Sequence, residues 1–199
     1  MLVTDDALIA GRDLVSLALA SARGGATCVQ LRLKDASPRE LADAALSMLA
    51  ALPVPLVIND RADVAIAVGA AGVHLGPDDI PVAIVRRVAP PGFIIGASVG
   101  SAEERAHGRG ADYWGVGPWA ETTTKGDAGS PLGAAGFRRI VRLAEGKPCL
   151  AIGGVRPEDV PLVVEARGAG VAVVSGILRA EDVESSTRGY ASVLAASSQ

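Results

Sequence analysis

CVQLRLKDASPRELADAALSMLAALPVPLVIN, residues 28–59, reads as strand, helix and strand in succession. From Val29 to Lys34 apolar and polar side chains alternate with the period of two that an extended chain imposes. After Ser37 the period lengthens to that of a helix. Pro38 takes the first helical position, Glu40 stands three residues past the serine in capping-box spacing, and an amphipathic run continues to Leu52. "PLVIN" then restores a short β-branched run. A strand, a covering helix and a further strand form the unit from which parallel sheets are built.

The same alternation fills the rest of the chain without a composition break or a linker. "MLVT", "CVQLRL", "PLVIN", "GVHLG", "FIIGAS", "YWGVG", "CLAIGG" and "GVAVVS" supply eight strand candidates. Helical patterns start near Asp13, Pro38, Arg61, Pro81, Ser101, Gly133, Pro157 and Asp182. Hydrophobic residues make up 49% of the 199 residues and aromatics only 3%, so the core must be made of Val, Ile, Leu and Ala, as in parallel strands buried on both faces. Units of about 20 to 30 residues favour closure over an open, doubly wound sheet. The pattern predicts an α/β protein, a compact (β/α)8 TIM barrel forming a single domain over residues 1–199. A typical barrel takes about 250 residues, so short loops are expected here. The longest stretch without periodicity is 118–132.

A net charge of -3 with both signs interspersed gives no field to attract a phosphate polymer or an anionic membrane, so neither nucleic acid nor membrane is an expected partner. "MLVTDD" lacks the basic and apolar regions of a leader, no long uncharged apolar run follows, and a cytoplasmic protein is expected. Cys28 and Cys149 lie far apart inside apolar runs and read as buried thiols, without metal or redox-pair spacing.

A barrel of this kind binds its ligand at the carboxyl ends of the strands. On "VQLRLK" the period of two puts Gln30, Arg32 and Lys34 on one face and Val29, Leu31 and Leu33 on the other. With the aliphatic set against the helices, an amide and two cations converge on the barrel mouth, where the cations need internal carboxylates or an anionic ligand. "INDR" and "HLGPDD" place Asn59 and Asp60 beside Asp78 and Asp79 on neighbouring strand ends. Those carboxylates either neutralise the cations or suit a hard divalent ion such as Mg²⁺, which keeps waters and takes phosphate oxygens. Ser98 ends "GAS", and "TTTKGDAG" (122–129) follows the sixth strand. Gly154 and Ser175 follow the seventh and eighth, where glycine lets backbone N–H groups approach an anion. Two anionic sites are expected, one on the side of strands 2 to 4 and one at strands 7 and 8. His107 is expected to be exposed, and His74 to be packed or hydrogen-bonded rather than catalytic. No Ser-His-Asp or Cys-His order and no zinc spacing occurs.

In these motifs the sequence resembles the thiamine phosphate synthase (thiamine-phosphate pyrophosphorylase) family. The likeness runs from "LVTDDALIAGRDL" through "VQLRLKDAS", "INDRADVAIAVGAAGVHLGPDD", "IGASVG", "ADYWGVGPWAETTTKGDAGSPLG" and "AIGGV" to "GVAVVSGI". The resemblance implies a Mg²⁺-dependent transferase acting on two small molecules, joining a hydroxymethylpyrimidine diphosphate to a thiazole phosphate with release of diphosphate. It implies that Gln30, Leu31, Arg32, Leu33 and Lys34, with Asn59, hold the pyrimidine diphosphate, Arg32 and Lys34 lying on its phosphates. Asp60 and Asp79 are then the metal ligands, and Ser98 and Lys125 complete the pyrimidine site. Thr122, Thr123 and Thr124 are implied to lie against the thiazole phosphate, whose phosphate group meets Gly154, Val174 and Ser175. The implied chemistry is dissociative: the C–O bond to diphosphate breaks first, and the thiazole nitrogen attacks the resulting pyrimidine methyl cation. Arg32, Lys34 and Lys125 supply the charge stabilisation, so no nucleophilic side chain is required.

Three positions depart from the family pattern: Leu33 where an acid is usual, Glu121 in place of Pro, and Gly100 in place of a frequent His. The last bears on an alternative with the same barrel, a thiazole tautomerase-like enzyme that relies on that histidine. A noncatalytic barrel that binds a phosphate ligand is the other alternative, and the oligomeric state is left open.

Overall fold

The computed structural model describes residues 1–122 and 129–197. Among them eight parallel strands pair in sequence order: β1 (Leu2–Val3), β2 (Val29–Leu31), β3 (Leu56–Asn59), β4 (Gly72–Leu75), β5 (Ile94–Ser98), β6 (Tyr113–Val116), β7 (Cys149–Ile152) and β8 (Gly170–Ala172). A bridge between Leu2 and Val173 joins the last strand to the first, with Val3 N donating to Val173 O at 2.9 Å. The sheet is thereby closed into the expected single-domain barrel.

Helices α1 (Asp6–Ile9), α2 (Leu14–Arg23), α3 (Pro38–Ala51), α4 (Ala62–Ala67), α5 (Val82–Val88), α6 (Gly133–Leu143), α7 (Val160–Glu165), α8 (Ser175–Leu178) and α9 (Val183–Ser197) surround it. The start of α3 follows from its cap: Ser37 Oγ accepts from Glu40 N at 3.3 Å while Glu40 Oε2 accepts from Ser37 N at 2.8 Å, and Pro38 needs no donor there. Asp13 caps α2 in the same manner, accepting from Ser16 N at 3.1 Å. The core lies between strands and helices. Val29, Leu31, Ile58, Val73, Leu75 and Ile95 point outward from the sheet and are fully buried against residues such as Ala45, Met48, Val85, Phe137 and Ile140.

Helix formation fails where a tertiary contact intervenes. The segment after β5 was expected to be helical but makes only a 3-10 turn, Glu103–Ala106. Gly108 then passes directly under Trp114, whose Nε1 donates to Gly108 O at 2.9 Å; a Cβ on Gly108 would sit 2.3 Å from that nitrogen. A continuing helix has no room beside the indole. Cys149 is buried as expected, its thiol pushed up to about 11 by desolvation, whereas Cys28 is only partly buried. No described helix is long and apolar enough to cross a membrane.

Candidate functional site

The carboxyl ends of the strands open into a cavity of about 750 Å³. Gln30, Arg32 and Lys34 line it together, as the period of two requires. Leu31 faces the helices at 0% exposure and Leu33 packs on the core; neither lines the cavity, because the same alternation turns both side chains outward. Asn59, Asp60, Asp78, Asp79 and Ser98 join the wall from β3 to β5, and Thr122, Gly154, Val174 and Ser175 from β6 to β8. Thr123, Thr124 and Lys125 lie outside the described residues.

The β2 to β4 side is an ordered set of charges. Thr4, fully buried at the end of β1, ties the strand ends: its Oγ1 accepts from Arg32 N at 2.8 Å and donates to Arg32 O at 3.0 Å. Arg32 Nη1 then reaches Asp5 Oδ2 at 2.8 Å, which uses one of the five N–H donors of the guanidinium. Asp6 accepts from Lys34 N at 2.7 Å, and Lys34 Nζ pairs with Asp60. Asp60 itself occupies the left-handed region, φ 62°, immediately after β3, a conformation that aspartate tolerates better than most side chains. It is hydrogen-bonded to Asp79, and burial together with that neighbouring carboxyl pushes Asp79 up to about 6. The Gly76 N–H, 2.6 Å from Asp79 Oδ2, and the Lys34 ammonium act in the opposite direction. Both cations thus have internal carboxylates, and the carboxylates on the β3 to β4 side are crowded against each other.

On the opposite side, Gly153 and Gly154 have φ values of 85° and 71°. A Cβ on Gly154 would meet Glu121 O at 2.8 Å, so glycine is required by the loop packed on it, where Ala120 N also donates to Gly153 O at 2.9 Å. Val174 leads into α8, a short helix after β8, in the position where barrels of this architecture often hold phosphate. Glu121 is exposed and does not line the cavity.

Two features escaped sequence reasoning. Asp5 was passed over, although an acid directly after the first strand of a barrel necessarily lies at the mouth. His74 was read as packed or hydrogen-bonded, and it is both: its ring nitrogens lie 3.0 Å from Tyr113 Oη and from Ser98 Oγ, but it also forms part of the cavity wall. His107, expected to be exposed, is half-buried against Leu75 O at 3.2 Å.

Closed parallel strands with a charged cavity at their carboxyl ends define a (β/α)8-barrel protein whose candidate small-molecule site lies at that mouth. The family model described as thiamine monophosphate synthase matches residues 1–177. Thiamine-phosphate synthase of Xanthobacter autotrophicus is 48% identical over 201 residues, covering 98% of this chain and 95% of the relative, and that of Azorhizobium caulinodans is 46% identical over 192 residues, covering 94% and 90%. The solved thiamine phosphate pyrophosphorylase of Pyrococcus furiosus superposes with a TM-score of 0.84 at 34% identity, covering 98% of this chain and 95% of that one. The chain belongs to the thiamine monophosphate synthase family.

Proposed function

We propose that the protein is a thiamine-phosphate synthase, a transferase that moves a pyrimidine methyl group from its diphosphate ester to the ring nitrogen of a thiazole phosphate, releasing diphosphate. The observation that carries the reading is the division of one cavity into two anion-handling sides: Arg32, Lys34, Asp60 and Asp79 on one, and the loops of Gly154, Val174 and Ser175 on the other. The first side, with paired cations and carboxylates, suits a metal-bound diphosphate, and the second, with glycine-lined loops, suits a single phosphate.

The carboxylate pair fits Mg²⁺. Two hard oxygen donors stand in contact, and burial together with the hydrogen bond to Asp60 lets Asp79 hold its proton to about pH 6. Among the described residues no third His, Cys, Asp or Glu completes a protein cage, which suits an ion that takes its remaining ligands from water and phosphate rather than a nitrogen- and sulfur-bound zinc. Bound between Asp60 and Asp79, Mg²⁺ would neutralise charge on the departing diphosphate. Arg32 offers its remaining donors to the same oxygens, held in place by Asp5 and Thr4. Lys34, paired with Asp60, adds a compact positive charge to that side of the cavity. Bringing both substrates into one cavity supplies the orientation that a bimolecular attack in water lacks. Lys125 and the threonines at 122–124 are assigned to the site by the family motif.

The tautomerase alternative is disfavoured at position 100. A Cβ on Gly100 would lie 2.7 Å from Gly117 O, so the loop has no room for a histidine there. Incubation with both substrates and Mg²⁺ should yield thiamine phosphate and diphosphate in equal amounts; isomerisation of the thiazole alone, or binding without conversion, would overturn the reading. Asp60→Asn should lose most turnover and, in a readout independent of activity, the rise in Tm that Mg²⁺ gives the unaltered protein.

A further inference from the structure

Below the charged rim the barrel lumen holds a line of polar side chains, two of which, His74 and Tyr113, have no part in the chemistry proposed above. His74, on β4, is 7% exposed and sits between Tyr113 Oη and Ser98 Oγ, 3.0 Å from each. Tyr113 is also hydrogen-bonded to the Gln30 side chain, and Gln30 turns Nε2 toward Met1 Sδ at 3.7 Å. The strands are built around this line. Their register sets His74 beside Gly96, Gly96 beside Tyr113, and Ser98 beside Gly115. A Cβ on Gly96 would fall 2.5 Å from His74 Nδ1 and 2.2 Å from Tyr113 Cζ, and one on Gly115 would fall 3.0 Å from His74 Cε1. Glycines on two adjacent strands therefore leave the space that the ring pair fills.

Donors and acceptors in this line run one way. An amide nitrogen only donates: Gln30 Nε2 is turned to the thioether, and the bond between the Gln30 side chain and Tyr113 opposes the rise that burial gives the phenol, as an N–H donated to the phenol oxygen does. With that bond accepted, the single Tyr113 hydrogen can be given to His74 Nδ1, 3.0 Å away, and burial raises the phenol so that the hydrogen stays in place. A neutral imidazole that accepts at Nδ1 donates at Nε2, which in this tautomer points its hydrogen at Ser98 Oγ, 3.0 Å away. In that tautomer Ser98 accepts from within the wall, and its own hydrogen is left for the cavity.

We propose that Tyr113 and His74 are positioning residues that fix the hydrogen-bond polarity of Ser98, making its hydroxyl a donor to the bound pyrimidine diphosphate. This assignment rests on the synthase reading above. Ser98 is the residue that touches substrate; Tyr113 and His74 act through it. An undirected hydroxyl could turn its hydrogen toward the imidazole and present only lone pairs to an anion, which would repel it.

Long-range ¹H–¹⁵N correlation spectra of the ligand-free protein, which has only two histidines, test the polarity directly. His74 should be the neutral tautomer protonated at Nε2; protonation at Nδ1 alone, or at both nitrogens near neutral pH, overturns the proposal. Tyr113→Phe keeps the ring and deletes the hydrogen, and should lower kcat/KM for the pyrimidine diphosphate roughly tenfold, with KM for that substrate raised and KM for the thiazole phosphate unchanged. The same substitution in a Ser98→Ala background should cost nothing further. An equal fall in both backgrounds, or none in the first, means that Tyr113 does not act through Ser98. His74→Gln, whose amide can donate to Ser98, should retain more turnover than His74→Leu; equal losses count against the proposal. Should the unaltered protein form no thiamine phosphate, the synthase reading fails, while the tautomer still decides the polarity.

Discussion

In the metal-free protein Asp79 keeps its proton to about pH 6, because burial and the hydrogen-bonded Asp60 both disfavour its charge. The fold therefore binds that proton more tightly than the unfolded chain, where the ordinary value is 3.8. The stabilisation is complete below about pH 4 and is lost as pH rises through about 6. Denaturation midpoints measured with a chelator present should fall across this window, and the fall should be smaller in Asp79→Asn; parallel profiles would show that the fold does not raise the proton affinity of Asp79. The charges of this rim were largely legible in the sequence, since strict alternation along β2 separated Gln30, Arg32 and Lys34 from Leu31 and Leu33. The family motif had grouped all five. Alternation is the better guide to side chains, because it follows from the geometry of the strand. Asp5 was legible as a residue of the mouth but not as the partner of Arg32, since strand order brings several acids near the guanidinium and does not say which one it meets.

Between elements, one polar group can hold a whole edge of the barrel. Asp112, directly before β6, accepts from Ile95 N at 2.7 Å and from Arg86 Nη2 at 2.6 Å, while Arg86 Nη1 donates to Phe93 O at 2.8 Å. This ties α5 to the amino ends of β5 and β6, at the end of the barrel away from the cavity. Asp112→Ala leaves a strand N–H without its acceptor and should cost about 1 kcal/mol, read as a lower urea midpoint at unchanged slope. Steady-state kcat/KM should be unchanged; a loss of activity at full stability would contradict this division between the two ends. Element boundaries were readable where a cap marks them, as at Ser37 and Asp13. They were not readable where Trp114 stops a helix after β5, or where α1 and α8 fill the mouth, because a contact distant in sequence decides those segments.

At the scale of the molecule, eight similar units and an aliphatic composition were enough to predict closure, since a sheet buried on both faces by helices has few other ways to end. What the pattern could not show is how the ring is joined. The join is made by a few backbone bonds of Met1 and Val3 with Val171 and Val173. The seam unites the two ends of the sequence, so every strand between them must be in place before it can form. A nascent chain that has not yet released β8 carries two open sheet edges, those of β1 and β7, in a molecule whose strands are almost wholly apolar. A version ending at residue 169 should accordingly self-associate, visible as fast-sedimenting material where the longer chain gives a discrete species, and a soluble, well-dispersed fragment would show that the ring can dispense with its last stave. For a cell making this barrel, the hazardous interval is the time between synthesis of the seventh strand and arrival of the eighth.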